Sequence, residues 1–235
     1  MSLKANKRFW KNVVVEATTD GFVVALDGRQ IKTPAGLLVA LPTRAAAELV
    51  AAEWAPSDAP IDPEQMPATR WANSSLDKVS VAMEAVADML AEYGGSDLLC
   101  YRAEAPVPLI ERQATLWDQP LKWAETTLNA PLQVTSGIIP VDQPNHSLQN
   151  LRNELGRFDA FELAAIHDLV VISGSLILAL AVIHGEISAD HAWECARVDE
   201  NWQIEQWGED EEAATSAAAK RESLLNAAKF FESLA

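Results

Sequence analysis

Between Asp168 and His184 the chain reads LVVISGSLILALAVI, an apolar run from Leu169 to Ile183 interrupted only by Ser173, Gly174 and Ser175. A bilayer crossing needs about 20 residues, so this run is too short to span a membrane. A helix apolar on every side and too short to span belongs at the centre of a helical domain. The segment from Ala160 to His184 is therefore predicted to be one core helix, with Gly174 allowing a neighbouring element to approach closely. The chain has 235 residues and is 49% hydrophobic. That is enough to bury a sizeable core in one large domain or two smaller ones, and two unequal domains fit the pattern best.

From Asn12 to Leu41 the pattern is β. VVVEATT and FVVAL are rich in branched residues, and Thr19-Asp20-Gly21, Leu26-Asp27-Gly28 and Pro34-Ala35-Gly36 supply turns at short intervals. A small antiparallel sheet is marginal alone, so it should pack on the helix predicted from Thr43 to Trp54, which Thr43 can cap. The proline-rich stretch APSDAPIDPEQMP then reads as an extended, stiff linker. Beyond it the periodicity is helical: Ala68 to Val79, Val81 to Tyr93, Val107 to Leu128, Ser147 to Leu155, the core helix, Ala189 to Trp207, and Thr215 to Leu234. Leu132 to Val141 reads as an irregular or β-like crossing segment. The expected fold class is α+β. Residues 1–65 form a β-rich N-terminal domain with one helix and the linker, and residues 66–235 a larger, mainly α-helical domain.

A net charge of −16 argues against nucleic-acid binding, which needs Lys and Arg to neutralise phosphates, and against anionic membrane surfaces. Lys4, Lys7, Arg8 and Lys11 open the chain without the apolar stretch of a secretory signal, and a strand-like segment begins too soon for an amphipathic targeting helix. Cys100 and Cys195 sit in apolar contexts and are expected as buried, reduced thiols. A cytoplasmic location follows as the expectation.

Half of the excess charge lies between Glu186 and Ala235, which hold twelve acidic residues against four basic ones. Its densest part is VDENWQIEQWGEDEE, Val198 to Glu212, with seven carboxylates around two tryptophans and no Lys or Arg from there to Lys220. Helical spacing pairs Val198 with Trp202, Trp202 with Gln206, and Gln203 with Trp207. An acidic strip beside large aromatics fits recognition of a basic, partly apolar protein surface. Composition alone favours the plainer reading, a solvated helix face whose tryptophans belong to the core.

Catalytic signatures are sparse. His146, His167, His184 and His191 are scattered, without the paired spacing of a zinc site, and no metal or cofactor is expected. Walker, G-x-G-x-x-G and G-x-S-x-G patterns are absent. Asp199, Glu200 and Glu205 offer paired carboxylates for a hydrolase or transferase in an interdomain cleft, provided the site separates their pKa values. A negatively charged mimic of nucleic acid is a third reading. The weight of the pattern favours a binding or assembly protein over an enzyme.

Longer motifs occur in a fixed order along the chain. Arg8-Phe9-Trp10-Lys11 is followed by Leu26-Asp27-Gly28-Arg29, Lys32-Thr33-Pro34, Glu53-Trp54, Ile61-Asp62-Pro63 and Met66-Pro67. Asp97-Leu98-Leu99-Cys100-Tyr101-Arg102-Ala103 comes next, then Gln113, Trp117-Asp118, Pro120, Trp123, Trp202-Gln203 and Trp207-Gly208. Over nearly its whole length the chain resembles the chaperones that hold the α subunit of the catalytic head of ATP synthase during assembly. The resemblance implies a β-rich domain followed by a helical one and a cofactor-free holdase, monomeric when free, whose partner is the α subunit. It implies a cytoplasmic protein in bacteria and a mitochondrial matrix protein among eukaryotic relatives. An acidic position just ahead of the aromatic-Gln motif matters in that family, and Asp199 and Glu200 match it here. The acidic strip and the resemblance together give the expected partner-binding set, Asp199, Glu200, Glu205, Trp207 and Glu211, with Trp54 and Trp202 as structural or interdomain residues. Where the family commonly carries a His-Asp pair after Trp207-Gly208, this chain has Ala214-Thr215.

Overall fold

The computed structural model describes residues 8–56, 60–137 and 139–235. The chain opens with β1 (Val13–Thr18), β2 (Gly21–Leu26), β3 (Arg29–Gln30) and β4 (Ala40–Leu41), followed by α1 (Arg44–Glu53) and α2 (Pro67–Asp77). Next come α3 (Met83–Glu92), β5 (Tyr101–Arg102), α4 (Val107–Thr127), β6 (Thr135–Ser136) and α5 (Asn145–Leu155). The remainder is helical: α6 (Ala160–Ser173), α7 (Leu176–Ile183), α8 (Ala189–Ala196), α9 (Val198–Trp207) and α10 (Glu211–Glu232). This is the α+β class expected, a small antiparallel sheet followed by a mostly helical part. Two compact units divide the chain: Met1–Ala82 with Asp159–Ala165 and Lys229–Ala235, and Met83–Phe158 with Ile166–Ala228. The first unit extends past position 65 because α2 is tied to α1, and it also takes up two segments remote in sequence.

In the first unit β1 pairs with β2 along its whole length, and β3 and β4 share the other edge of β2. Val23, Val24 and Ala25 of this central strand are wholly buried. The β2–β3 turn is Asp27-Gly28, with φ of 47° and 81°. That is the conformation the sequence signature demands, and Gly28 takes the position that L side chains resist. Backbone N–H groups of Asn12 and Lys11 donate to the Asp27 carboxylate and hold its pKa below the ordinary value. At Gly21 a side chain is excluded sterically, since a Cβ would lie 2.3 Å from the Leu41 carbonyl oxygen where β4 pairs. Thr43 caps α1, accepting from the Ala46 N–H at 3.1 Å.

The Glu53-Trp54 motif joins α1 to α2. Glu53 accepts from the backbone N–H groups of Ala68 and Thr69 at 2.7 and 2.8 Å and from the Thr69 hydroxyl at 2.7 Å. It thus caps an α2 whose own N-cap residue, Met66, offers no side-chain bond. Burial pushes the Glu53 carboxyl up, and the bonds from Thr69 and Ala68 oppose that shift. Trp54 is half-buried, donates from Nε1 to the Thr69 hydroxyl at 3.0 Å, and packs against Trp10 with the rings tilted by 48° and 5.4 Å between centroids. The Trp10 indole in turn donates to the Trp54 carbonyl at 2.8 Å. Trp54 thereby links residues on both sides of position 65. The proline-rich segment contains a short 3-10 turn at Pro63–Gln65 capped by Asp62, while Ser57 to Ala59 lie outside the described residues, as do Lys4 and Lys7 of the basic opening.

The second unit corrects the single core helix. The apolar run breaks at Gly174, where φ is +69°, and α7 starts afresh after Ser175. Close approach is not the reason for the glycine, since a Cβ there would meet only Leu98 Cβ at 4.0 Å; the left-handed backbone is. Ser175 caps α7 by accepting from Leu178 N–H at 3.0 Å and donates to Asp97 at 2.8 Å. Asp97 also accepts from the backbone of Ile177 at 3.0 Å and of Leu99 at 3.1 Å. Every residue of α7 from Leu176 to Ala181 is buried, so this shorter helix does occupy the core.

Arg102, at the end of the DLLCYR motif, donates to the Leu99 carbonyl, pairs with Asp118 at 2.8 Å and lies 5.2 Å above the Trp117 ring. The segment expected to be β-like supplies β6, which pairs in parallel with β5; its Ile138 lies outside the described residues. Two more helices differ from expectation. The Ala189–Trp207 helix breaks at Arg197 into α8 and α9, and the last helix starts at Glu211, where Asp210 accepts from the Ala213 N–H at 2.8 Å and serves as its cap. Cys100 and Cys195 are buried and unpaired, and burial pushes their thiols up to about 12 and about 11.

Two measurements check this fold. Replacing Trp54 by Ala removes a half-buried ring and its hydrogen bond, with an expected loss of about 2–3 kcal/mol in chemical denaturation; an unchanged midpoint would contradict the packing role. Burial, opposed by bonds from Ile177, Leu99 and Ser175, raises the Asp97 pKa from 3.8 to about 6. A group whose folded pKa is raised contributes stability that is fully present below its unfolded value and lost as pH rises through the folded one. Wild type should therefore lose on the order of 2 kcal/mol relative to Asp97→Asn between about pH 4 and pH 7. A gap between the two proteins that does not change with pH would refute the assignment.

Candidate protein-docking site

The acidic strip is carried by α9 and the first turn of α10. α9 is isolated at both ends: Arg197 serves as C-cap of α8 and N-cap of α9, and Gly208, at φ +93°, stops the helix. At 100° per residue, Val198, Trp202 and Glu205 lie on one side, and Glu200, Gln203 and Trp207 on the opposite side. Burial follows that division except at Glu205, whose side chain is 49% exposed. Val198 is 1% exposed and Trp202 half-buried, whereas Glu200 and Gln203 are exposed and Trp207 is 79% exposed.

The inner side meets α4 through polar contacts. Arg112 donates from both terminal nitrogens to Glu205, at 2.7 and 2.9 Å, and its guanidinium lies 5.1 Å from the Trp202 ring centre. This bond holds the Glu205 carboxyl below its usual range and raises the pKa of Arg112. The neighbouring Gln113, 1% exposed, accepts from the Ala103 N–H at 2.8 Å and donates to Asp199 at 2.7 Å. Asp199 is half-buried by that contact. A third tie joins α4 to α8, where the buried Trp117 indole donates to the Cys195 carbonyl at 2.8 Å.

The sequence-derived residues therefore separate into groups. Glu200 and Trp207 share an outward stripe. Asp199 and Glu205 face α4, so the strip is not uncompensated throughout, as its composition suggests. Glu211 is exposed in the first turn of α10 beside Glu212, where the helix dipole favours acidic groups. Trp202 supports the Arg112 guanidinium, a contact within the second unit, and Trp54 belongs to the first unit. Arg112 is absent from the sequence-derived set because its partner lies 93 residues away and no local spacing connects them. Gln113 stands among the motif residues, but its link to Asp199 has no sequence signal.

Chemically, the arrangement offers a large exposed aromatic on an acidic surface, suited to binding a protein. Catalysis by Asp199, Glu200 and Glu205 finds little support in it. Glu200 stands in solvent, Asp199 is engaged by Gln113, and the Glu205 pKa is shifted downward, whereas a general acid needs it raised. Among the described residues, no group of three or more His, Cys, Asp or Glu is placed to hold a metal ion, and no helix is long and apolar enough to cross a membrane.

Comparison with known proteins agrees with the sequence motifs. A family model described as ATP12 chaperone protein matches residues 7–125. A curated relative, the mitochondrial protein atp12 of Schizosaccharomyces pombe, is 27% identical over 221 residues, covering 88% of this chain and 75% of its own length. The crystal structure of Atp12 from Paracoccus denitrificans superposes with a TM-score of 0.93 at 45% identity, covering 98% of this chain and 99% of that one. A point mutant of Atp12p from the same organism gives the same TM-score and identity and covers 98% of each chain. The family model ends within α4, but these two structures extend through α9 and α10. The chain belongs to the ATP12 chaperone family.

Proposed function

We propose that this protein is an assembly chaperone of ATP synthase that binds the free α subunit of the catalytic head and prevents its aggregation before it pairs with β. The observation that carries the reading is Trp207, a large aromatic 79% exposed beside Glu200 and Gln203 on the outer stripe of α9. Exposed tryptophan is costly in water and is the residue type most enriched among binding hot spots. The surrounding carboxylates add charge complementarity for a basic surface. A subunit destined for a ring exposes apolar interface until its neighbour arrives, and covering that surface requires no ATP. Release follows by mass action when β competes for the α surface. The chaperone acts where the synthase head is assembled, in the cytoplasm of a bacterium or the mitochondrial matrix of a eukaryote.

With this protein as bait in a lysate, free α subunit should be captured, and purified β should displace it. Trp207→Ala and Glu200→Lys should each weaken capture about tenfold or more. Both should leave the unfolding midpoint nearly unchanged, since exposed substitutions shift stability by about 0.5 kcal/mol or less. Absence of α from the captured material, or capture that both variants retain in full, would refute the reading.

A further inference from the structure

We propose that Arg112 and Gln113, adjacent on α4, are positioning residues that clasp α9 and orient Glu200, Gln203 and Trp207 toward a basic protein partner. On this view Asp199 and Glu205 serve the clasp and not the partner. The inference rests on the reading of α9 as the docking face.

α9 has little apolar anchorage of its own. Of its ten residues Val198 alone is buried, with Trp202 and Ile204 half-buried. Its ends do not hold it either, because the chain departs from helix at Arg197 and turns left-handed at Gly208. What fixes its rotation about its own axis is a pair of polar contacts nearly two turns apart. Gln113 reaches Asp199 near one end, and Arg112 reaches Glu205 near the other while stacking on Trp202.

Both donors are set in advance. The Ala103 N–H requires an acceptor, which fixes the Gln113 carboxamide so that its NH2 group points at Asp199. The bidentate geometry and the aromatic face beneath fix the plane of the Arg112 guanidinium. Removing either contact should let α9 roll or detach, and the outer stripe would lose its orientation although its own residues are intact.

Hydrogen exchange of the free protein, paired with binding of purified ATP synthase α subunit, tests the proposal. Arg112→Ala should accelerate exchange of the α9 amides about fivefold, while α4 and α8 keep their protection. Gln113→Glu should do the same by placing a carboxylate against Asp199. Affinity for the α subunit should fall in parallel. The exchanged pair Arg112→Glu with Glu205→Arg should recover part of both losses, which a merely disrupted fold would not. Glu200→Lys should lose binding with α9 protection intact. Because the Arg112 side chain is about one-third exposed, misfolding of Gln113→Glu alone would leave the test standing. Unchanged α9 exchange in Arg112→Ala would overturn the clasp. So would loss of binding in Glu205→Gln with full α9 protection, since it would place Glu205 in direct contact with the partner. Faster α9 exchange in the variants, with no α subunit bound even by wild type, would uphold the clasp and overturn the partner it was proposed to serve.

Discussion

A carboxylate with no exposed surface is expensive to bury, and Asp97 persists inside the second unit because three donors converge on it. Those donors belong to two places in the chain: the Leu99 backbone beside it, and Ser175 with Ile177 at the start of α7. One side chain therefore fixes where the most apolar helix of the molecule begins and how the DLLCYR segment is set against it. The rest of that segment follows from this anchor. Leu99 and Cys100 enter the core, and Arg102 turns to Asp118 and the face of Trp117.

α4 distributes the consequences. Along its length Gln113 holds Asp199, Trp117 holds the backbone at Cys195, and Asp118 holds Arg102. Each of these directional bonds includes a buried side chain, Gln113, Trp117 or Arg102, so its geometry is set by packing on at least one side. A helix organised in this way can present a neighbour that contributes few apolar contacts itself. Such an arrangement suits a protein whose outer face must keep its polar and aromatic groups available instead of spending them on its own core.

Much of the architecture was legible in the sequence because the relevant signals are local. Asp27-Gly28 specified its hairpin turn, Thr43 marked the start of α1, and the apolar periods located most helices. The helix breaks were not legible. Apolar residues continue across Gly174, and what ends the helix there is a left-handed backbone together with a cap completed by Asp97, 78 residues earlier. The break at Arg197 has no proline or glycine to announce it. The site was half legible for the same reason. Composition identified an acidic, tryptophan-bearing strip, but the division into inner and outer sides depends on Arg112 and Gln113. Neither tie has a signal within one helical turn of α9.

The Glu53 bridge to α2 also bears on how the chain is made. An isolated helix of α2's length is marginal in water, and this one receives its N-terminal acceptor from a residue synthesised before it. As the polypeptide leaves the ribosome, the β1–β2 hairpin and α1 emerge first, and α2 meets a cap already in place. The first unit can therefore grow from its N-terminal end. Its later pieces, Asp159–Ala165 and Lys229–Ala235, are added to a scaffold that has begun to form.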